Sequence, residues 1–359
     1  MKFDNEIFIG KRRIANDEPT YFIADIAANH DGDLERAKNL IYLAKDAGAD
    51  CVKFQHFLAE KIVSDYGFTH LNTGLSHQAS WKKSVYEVYK DAECRRNWTE
   101  ELVKTAKDAD IEFMTTPYDF DILESIDKYV NAYKIGSGDI TWFDFIEKIA
   151  KYNKPVLLAC GASTSDEVDN ALDVITRHNS KVILMQCNTN YTASFENFKY
   201  INLSVLNTFK QKYPDLILGL SDHTLNSTTV VGAVALGARV IEKHFTDDNN
   251  RIGPDHKFAM NPTTWAWMVE RTRELEMALG DGIKRVEENE KDTVVVQRRC
   301  IRLKYNMKKN DLIKKSDLEI LRPAPADAIF PYDEEKVLGR KLIIDKNAGD
   351  YIKFEDIDA

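Results

Sequence analysis

The sequence predicts an α/β protein: a (β/α)8 TIM barrel followed by a small β-rich domain. Three observations carry this expectation. Eight short apolar runs, nearly all followed by stretches of helical spacing, occupy the first 284 residues. Nearly every run stops in polar residues, as barrel strands do at the end where a site is built. After residue 293 the pattern changes to short alternating strands, broken by Asn306, Asn310-Asp311 and Asn347-Ala348-Gly349.

The elements follow in order. YFIADIA (21–27) is apolar and bounded by turn residues, and Leu34, Ala37, Leu40, Ile41 and Ala44 come next at helical spacing. CVKF (51–54) is the second strand; a long connection leads to a helix around 98–108. Strands EFMT (112–115) and AYKI (132–135) follow, then helix 142–152, strand PVLLA (155–159) and helix 165–177. The series closes with strand VILMQ (182–186), a helix near 198–212, strand LILGLS (216–221), helix 228–236, strand VIEKHF (240–245) and helix 262–279. Strict alternation argues for a parallel sheet. A doubly wound open sheet is the alternative, but it usually has fewer strands, and no GxGxxG follows the first strand here. The expected division is a barrel over 1–284, a linker over 285–293 that contains the charged run EENEKD, and a small domain over 294–359.

Composition bounds the function. Of 359 residues, 49 are Lys or Arg and 58 Asp or Glu, for a net charge of −9. With 43% hydrophobic and 30% charged residues, disordered and fibrous classes are excluded. The whole of the −9 lies before residue 285, and the remainder is neutral. An acidic chain is not a general nucleic-acid binder. The block 298–315 holds eight Lys and Arg against Asp311, but Tyr305 is its only aromatic residue. A solvated face, or one that docks on an acidic surface, accounts for it better than nucleic acid does. The five cysteines are widely spaced without a CxxC, so neither a disulfide framework nor a zinc ribbon is expected. MKFDNEIFIGKRR has no apolar core of a secretory signal, and the apolar stretch 230–238 is too short to span a membrane. A cytoplasmic protein is the expectation.

The polar strand ends carry the chemistry. His223 and His244 end consecutive strands seven and eight, which lie ~5 Å apart in a sheet. Two imidazoles at equal height suit a divalent transition metal with open oxygen positions, such as Mn²⁺ as Lewis acid, and not a closed structural zinc site. Two separate core histidines are the plain alternative. Lys53 and Lys134 end strands two and four on the same rim. With Thr116, Ser137 and Ser221 they could hold a phosphate or carboxylate. An internal salt bridge with Asp25, Asp139 or Glu242 is the equal alternative, and a Schiff-base lysine a third. Gly136-Ser137-Gly138 offers backbone N–H groups to an oxyanion, or is simply a tight turn.

These residues sit in stretches that together resemble the sialic acid synthase family, the phosphoenolpyruvate-dependent nonulosonate synthases. The stretches are IADIAANHDGD, GADCVKFQ, TTPYD, YKIGSGDIT, KPVLLACGAS, LGLSDHT, GAVALGARVIEKHFT and GPDHKFAMNP. The tail, RRCIRLKYNMKKNDLIKKSDLEILRP, is similar to that family's antifreeze-like domain. The resemblance implies condensation of phosphoenolpyruvate with an open-chain N-acylated hexosamine, N-acetylmannosamine or a diacetamido-deoxyhexose, to a nine-carbon 2-keto acid with loss of phosphate. It implies His223 and His244 as metal ligands, for Mn²⁺ with Mg²⁺ or Co²⁺ as alternatives. It implies Lys53, Thr116, Lys134, Ser137 and Ser221 for phosphoenolpyruvate. On the sugar side it implies Gln55, Asp139, Tyr191, Asp255 and, in a domain-swapped homodimer, Arg322 of the partner subunit. Asp25 and Glu242 are the candidate acid/base groups. A non-catalytic sugar-binding barrel and a lysine-dependent aldolase are the rival functions.

The chain departs from that family in several places. Asp25 and Asp139 stand where the family has Glu, each carboxylate drawn back by ~1.5 Å. Ala159, followed by Cys160, replaces a Ser, an Asn is displaced to Asn188 or Asn190, and the tail reads RPAPAD for RPG. These changes gather on the sugar side, so the expected acceptor is different from or bulkier than N-acetylmannosamine, with a diacetamido sugar the leading candidate.

Overall fold

The computed structural model describes residues 1–71, 78 and 81–358. They form two compact units, Met1–Gly280 and Asp281–Ala359.

The first unit opens with an antiparallel hairpin, β1 (Glu6–Ile9) and β2 (Arg12–Ala15). Then come β3 (Tyr21–Asp25), α1 (Leu34–Asp46) and β4 (Cys51–His56). The described part of the long connection includes the short helices α2 (Ala59–Ile62), α3 (Asp65–Thr69) and α4 (Val85–Asp91). The alternation resumes with α5 (Thr99–Asp108), β5 (Glu112–Pro117), α6 (Phe120–Ile126), β6 (Tyr133–Ile135), α7 (Phe143–Lys151) and β7 (Val156–Ala159). It ends with α8 (Ser165–Thr176), β8 (Val182–Cys187), α9 (Val205–Lys212), β9 (Ile217–Asp222), α10 (Thr228–Ala235), β10 (Val240–His244) and α11 (Pro262–Leu279). Strands β3 to β10 close into a parallel barrel, with β10 pairing β3, so the expected (β/α)8 architecture is the one observed. The helix read near 198–212 is split: 195–200 is a 3-10 turn and only α9 is α-helical.

Alternation along each strand sorts side chains into two cores. Phe22, Ala24, Val52, Phe54, Leu158 and Leu184 face outward and pack on the helices. Tyr21, Ile23, Cys51, Met114, Leu157, Ile183, Met185, Ile217 and Val240 fill the barrel interior. Ile7, Ile9 and Ile14 of the hairpin join that interior layer, which stops the amino-terminal end of the barrel. Local signals hold the helices in place. Asp33 caps α1 by accepting from the Arg36 N–H, and Thr164 with Glu167 forms a capping box on α8. Among the described residues, no helix is long and apolar enough to cross a membrane.

The second unit contains α12 (Lys291–Gln297) and an antiparallel pair, β11 (Cys300–Leu303) and β12 (Leu318–Leu321). Isolated bridges such as Met307 to Lys346 and Leu312 to Lys341 extend this β-rich pattern. Its core is Ile301, Leu303, Met307, Ile313, Ile329, Val337, Leu342, Ile352 and Ile357.

Candidate active site at the carboxyl rim of the barrel

Two residues beyond the apolar interior layer, the same inward-facing rows turn polar. Ile23 is followed by Asp25, Cys51 by Lys53, Met114 by Thr116, and Val240 by Glu242 and then His244. Register brings these together: Asp25 pairs with Lys53, Gln55 with Thr116, Glu242 with Ser221 and His244 with Asp25.

The result is one cavity, about 50 Å³ in open volume, lined by Asp25, Lys53, Gln55, Thr116, Lys134, Ser137, Tyr191, Ser221, His223, Glu242 and His244 among others. Eleven of the residues singled out from the sequence therefore converge. Asp255 does not line it but reaches it from behind, with Oδ2 3.6 Å from His244 Nδ1. Asp139 stands in the turn after β6, half-buried. Arg322 belongs to the second unit, where it is exposed. Tyr118, Gly136, Ala159 and Cys187 also line the cavity.

Both lysines are buried, and each has a carboxylate partner, as burial of an ammonium requires. Lys53 Nζ donates to Asp25 Oδ2 at 2.7 Å and to Thr116 Oγ1 at 3.3 Å, and lies 3.8 Å from Glu242 Oε1. Lys134 Nζ donates to Glu242 Oε1 at 2.5 Å and to Ser221 Oγ at 3.5 Å. Of the carboxylates read as salt-bridge partners, Asp25 and Glu242 serve and Asp139 does not. Gln55 Nε2 donates to Asp25 Oδ2 at 3.0 Å, and the Ala27 N–H to Oδ1 at 3.1 Å.

Charge states follow from these contacts. Burial alone would raise the Asp25 carboxyl, but Lys53 and His244 hold it below its ordinary value. Burial would likewise raise Glu242, and Lys134 and Lys53 outweigh it. Lys53 is held above its ordinary value because Asp25 and Glu242 outweigh its desolvation. Among the described residues Asp139 has no such compensation, and burial pushes its carboxyl up to about 6.

His223 and His244 stand with ring centroids 5.3 Å apart. His223 Nδ1 donates to the Asn188 carbonyl at 2.9 Å, which leaves Nε2 with its lone pair free for a ligand. Among the described residues His244 Nδ1 is buried without a hydrogen-bond partner, the Asp255 carboxylate lying 3.6 Å away. Tyr191 and Phe258 pack on these rings, with centroids 4.3 Å from His223 and 4.9 Å from His244 respectively. Among the described residues, no group of three or more His, Cys, Asp and Glu is arranged to hold a metal. Two neighbouring imidazoles are the kind of donor pair that a site completed by water and substrate oxygens uses, and they are too few for a closed structural site.

Phe258 was missed as a site residue. It lies in GPDHKFAMNP, but a lone Phe in a loop carries no chemical signal, and its place on the imidazoles comes from the fold of loop 245–261. Tyr118, likewise, is an ordinary aromatic residue until Thr116 is placed on the rim.

Comparisons with known proteins identify the family. Residues 40–284 match the model of the NeuB family. The chain is 34% identical to the N,N'-diacetyllegionaminic acid synthase of Campylobacter jejuni, over 88% of this chain and 94% of that one. It is also 34% identical to the protein of the same name from Legionella pneumophila, over 94% and 95%. Among solved structures, an N-acetylneuraminic acid (sialic acid) synthetase from Leptospira borgpetersenii superposes with a TM-score of 0.70 at 29% identity, covering 82% of this chain and 96% of that one. With the family model matched along most of the barrel and relatives at this identity along nearly the whole length, the chain belongs to the NeuB family.

Proposed function

We propose that the protein condenses phosphoenolpyruvate with an open-chain N-acylated amino sugar, releasing phosphate and a nine-carbon 2-keto acid. The observation that carries this reading is the convergence of Lys53, Lys134, Thr116, Ser137 and Ser221 on one cavity beside the paired imidazoles. The lysines and hydroxyls hold the phosphate and carboxylate of phosphoenolpyruvate. Both lysines are already paired with carboxylates, so an incoming anion shares their ammonium groups with Asp25 and Glu242.

In the reaction the enol carbon bonds to the aldehyde carbon, water adds at the carbon bearing the phosphate ester, and the C–O bond to phosphate breaks. Asp25, ionised by its contact with Lys53, enters as a base that takes a proton from that water, with Glu242 the second candidate. Gln55, Asp139, Tyr191 and Asp255 face the sugar, joined by Arg322 of the partner subunit in a domain-swapped homodimer. A divalent metal held by His223 and His244, with Mn²⁺ the first choice, would polarise the aldehyde oxygen. The domain plan is a barrel over 1–284, a linker over 285–293 and an antiparallel β-rich antifreeze-like domain over 294–359, working in the cytoplasm.

The acceptor we propose is a diacetamido-deoxyhexose. The shorter carboxylates at Asp25 and Asp139 favour it, as do the names of the two relatives above. A Schiff-base aldolase is disfavoured because Lys53 and Lys134 are each ion-paired with a buried carboxylate, which favours the ammonium over the nucleophilic amine. The test is a screen of N-acylated hexoses with phosphoenolpyruvate and Mn²⁺, read by product mass. The expected product is a nine-carbon keto acid from the diacetamido sugar. Efficient turnover of N-acetylmannosamine with the diacetamido sugars ignored would overturn the acceptor assignment. His223→Ala should abolish turnover, and undiminished activity would remove the metal assignment.

A further inference from the structure

Asp255 reaches the site from a loop that is itself tied down. The next residue, His256, is buried and bonded at both ring nitrogens: Nδ1 to Thr246 Oγ1 at 2.7 Å and Nε2 to Asp31 Oδ1 at 2.9 Å. Its backbone carbonyl accepts from Asn249 Nδ2 at 2.8 Å. Gly253 packs on the same ring so closely that an added Cβ would stand 2.6 Å from His256 Cδ2.

Asp31 lies on the other side, in the loop after β3. It accepts from Arg251 Nε at 2.9 Å, and its Oδ2 lies 2.8 Å from Arg251 Nη2 and 3.2 Å from Arg36 Nε. Its φ of 53° is in the left-handed region, which Asp and Asn tolerate better than other residues with a Cβ. One carboxylate thus joins the loop after the first barrel strand to the loop after the eighth. Between these anchors Asp255 is left with Oδ2 3.3 Å from the Ala28 N–H and 3.6 Å from His244 Nδ1.

The geometry points to Asp31 and His256 as positioning residues that set Asp255 for the sugar substrate. The inference rests on the proposed reading that Asp255 faces the sugar. An imidazole bonded at both ends cannot turn, so the backbone carrying Asp255 is held at one distance from the rim. Displacement of such a group by ~1 Å costs about a hundredfold in rate in well-formed sites.

The test compares Asp31→Asn, His256→Gln and Arg251→Gln with Asp255→Asn. Asn keeps the left-handed backbone but loses the charge that gathers the three partners. The expected result is a rise of about tenfold in the sugar KM for Asp31→Asn, with the phosphoenolpyruvate KM within about twofold of the parent. His256→Gln and Arg251→Gln should give smaller rises of the same kind. Amide hydrogen exchange over 247–258, which needs no turnover, should quicken in Asp31→Asn. An Asp255→Asn variant with a raised sugar KM beside an Asp31→Asn variant with none overturns the positioning role. So does unchanged exchange over 247–258, or an equal rise in both KM values. An Asp255→Asn variant with an unaltered sugar KM would instead overturn the reading of Asp255 on which the inference rests.

Discussion

The two ends of the barrel are built by the same eight strands and have opposite chemistry. At the amino-terminal end the inward rows are Tyr21, Ile23, Cys51, Met114, Leu157, Ile217 and Val240, stopped by Ile7, Ile9 and Ile14. One or two steps further along, they carry Asp25, Lys53, Thr116, Ser221, Glu242 and His244. The first end gains its stability chiefly from apolar burial. The second buries at least four charges and is tolerable only because each is paired. The lesson is a division of labour along one strand: the stopped end supplies stability that the charged end uses.

The largest break in this comparison comes from unpairing the rim. Lys134→Met leaves Glu242 buried without its closest cation. It should cost about 3 kcal/mol of stability in urea denaturation and reduce phosphate release by about a thousandfold. A stable variant with ordinary turnover would show that the rim pairs do not carry the site. At the other end, Ile9→Ala opens a cavity in the interior layer. It should cost about 2–4 kcal/mol in the same denaturation while kcat stays within about twofold. A large fall in kcat would mean that the two ends are coupled rather than divided.

The smallest effect sharpens the comparison by pH. Asp139 is the rim carboxyl whose burial is uncompensated, at about 6 against an ordinary 3.8. Ionising it in the folded protein carries a cost that is absent below about pH 4 and fully present above about pH 6. Asp139→Asn removes that cost. It should therefore stabilise the protein by about 1 kcal/mol at pH 8, less than full burial would imply because the group is partly solvated, and leave it unchanged at pH 4. Equal melting shifts at both pH values would contradict the assignment.

How much of this was legible in the sequence depends on the kind of signal. Strands with a polar residue after an apolar run could be read directly, because period-two alternation and the rim position act locally. Lys53, Lys134, His223 and His244 were found that way. The hairpin of β1 and β2 was not read. Its four-residue strands are too short for periodicity to register, and its stopping role depends on the barrel that it closes. Asp255 could be named through the family resemblance, but its approach to His244 from a loop, outside the cavity lining, depends on loop 245–261. That loop is folded by Asp31 from more than two hundred residues away. Phe258 and Tyr118 were hidden for the same reason: their roles are contacts, not chemistry.

The central claim is that the rim unites an anion, a sugar and a metal in one reaction. Phosphate release from phosphoenolpyruvate, measured with the diacetamido sugar and Mn²⁺ each omitted in turn and the metal chelated, tests it most directly. Release is expected only when all three are present. Release at the same rate without sugar, or after chelation, would contradict it.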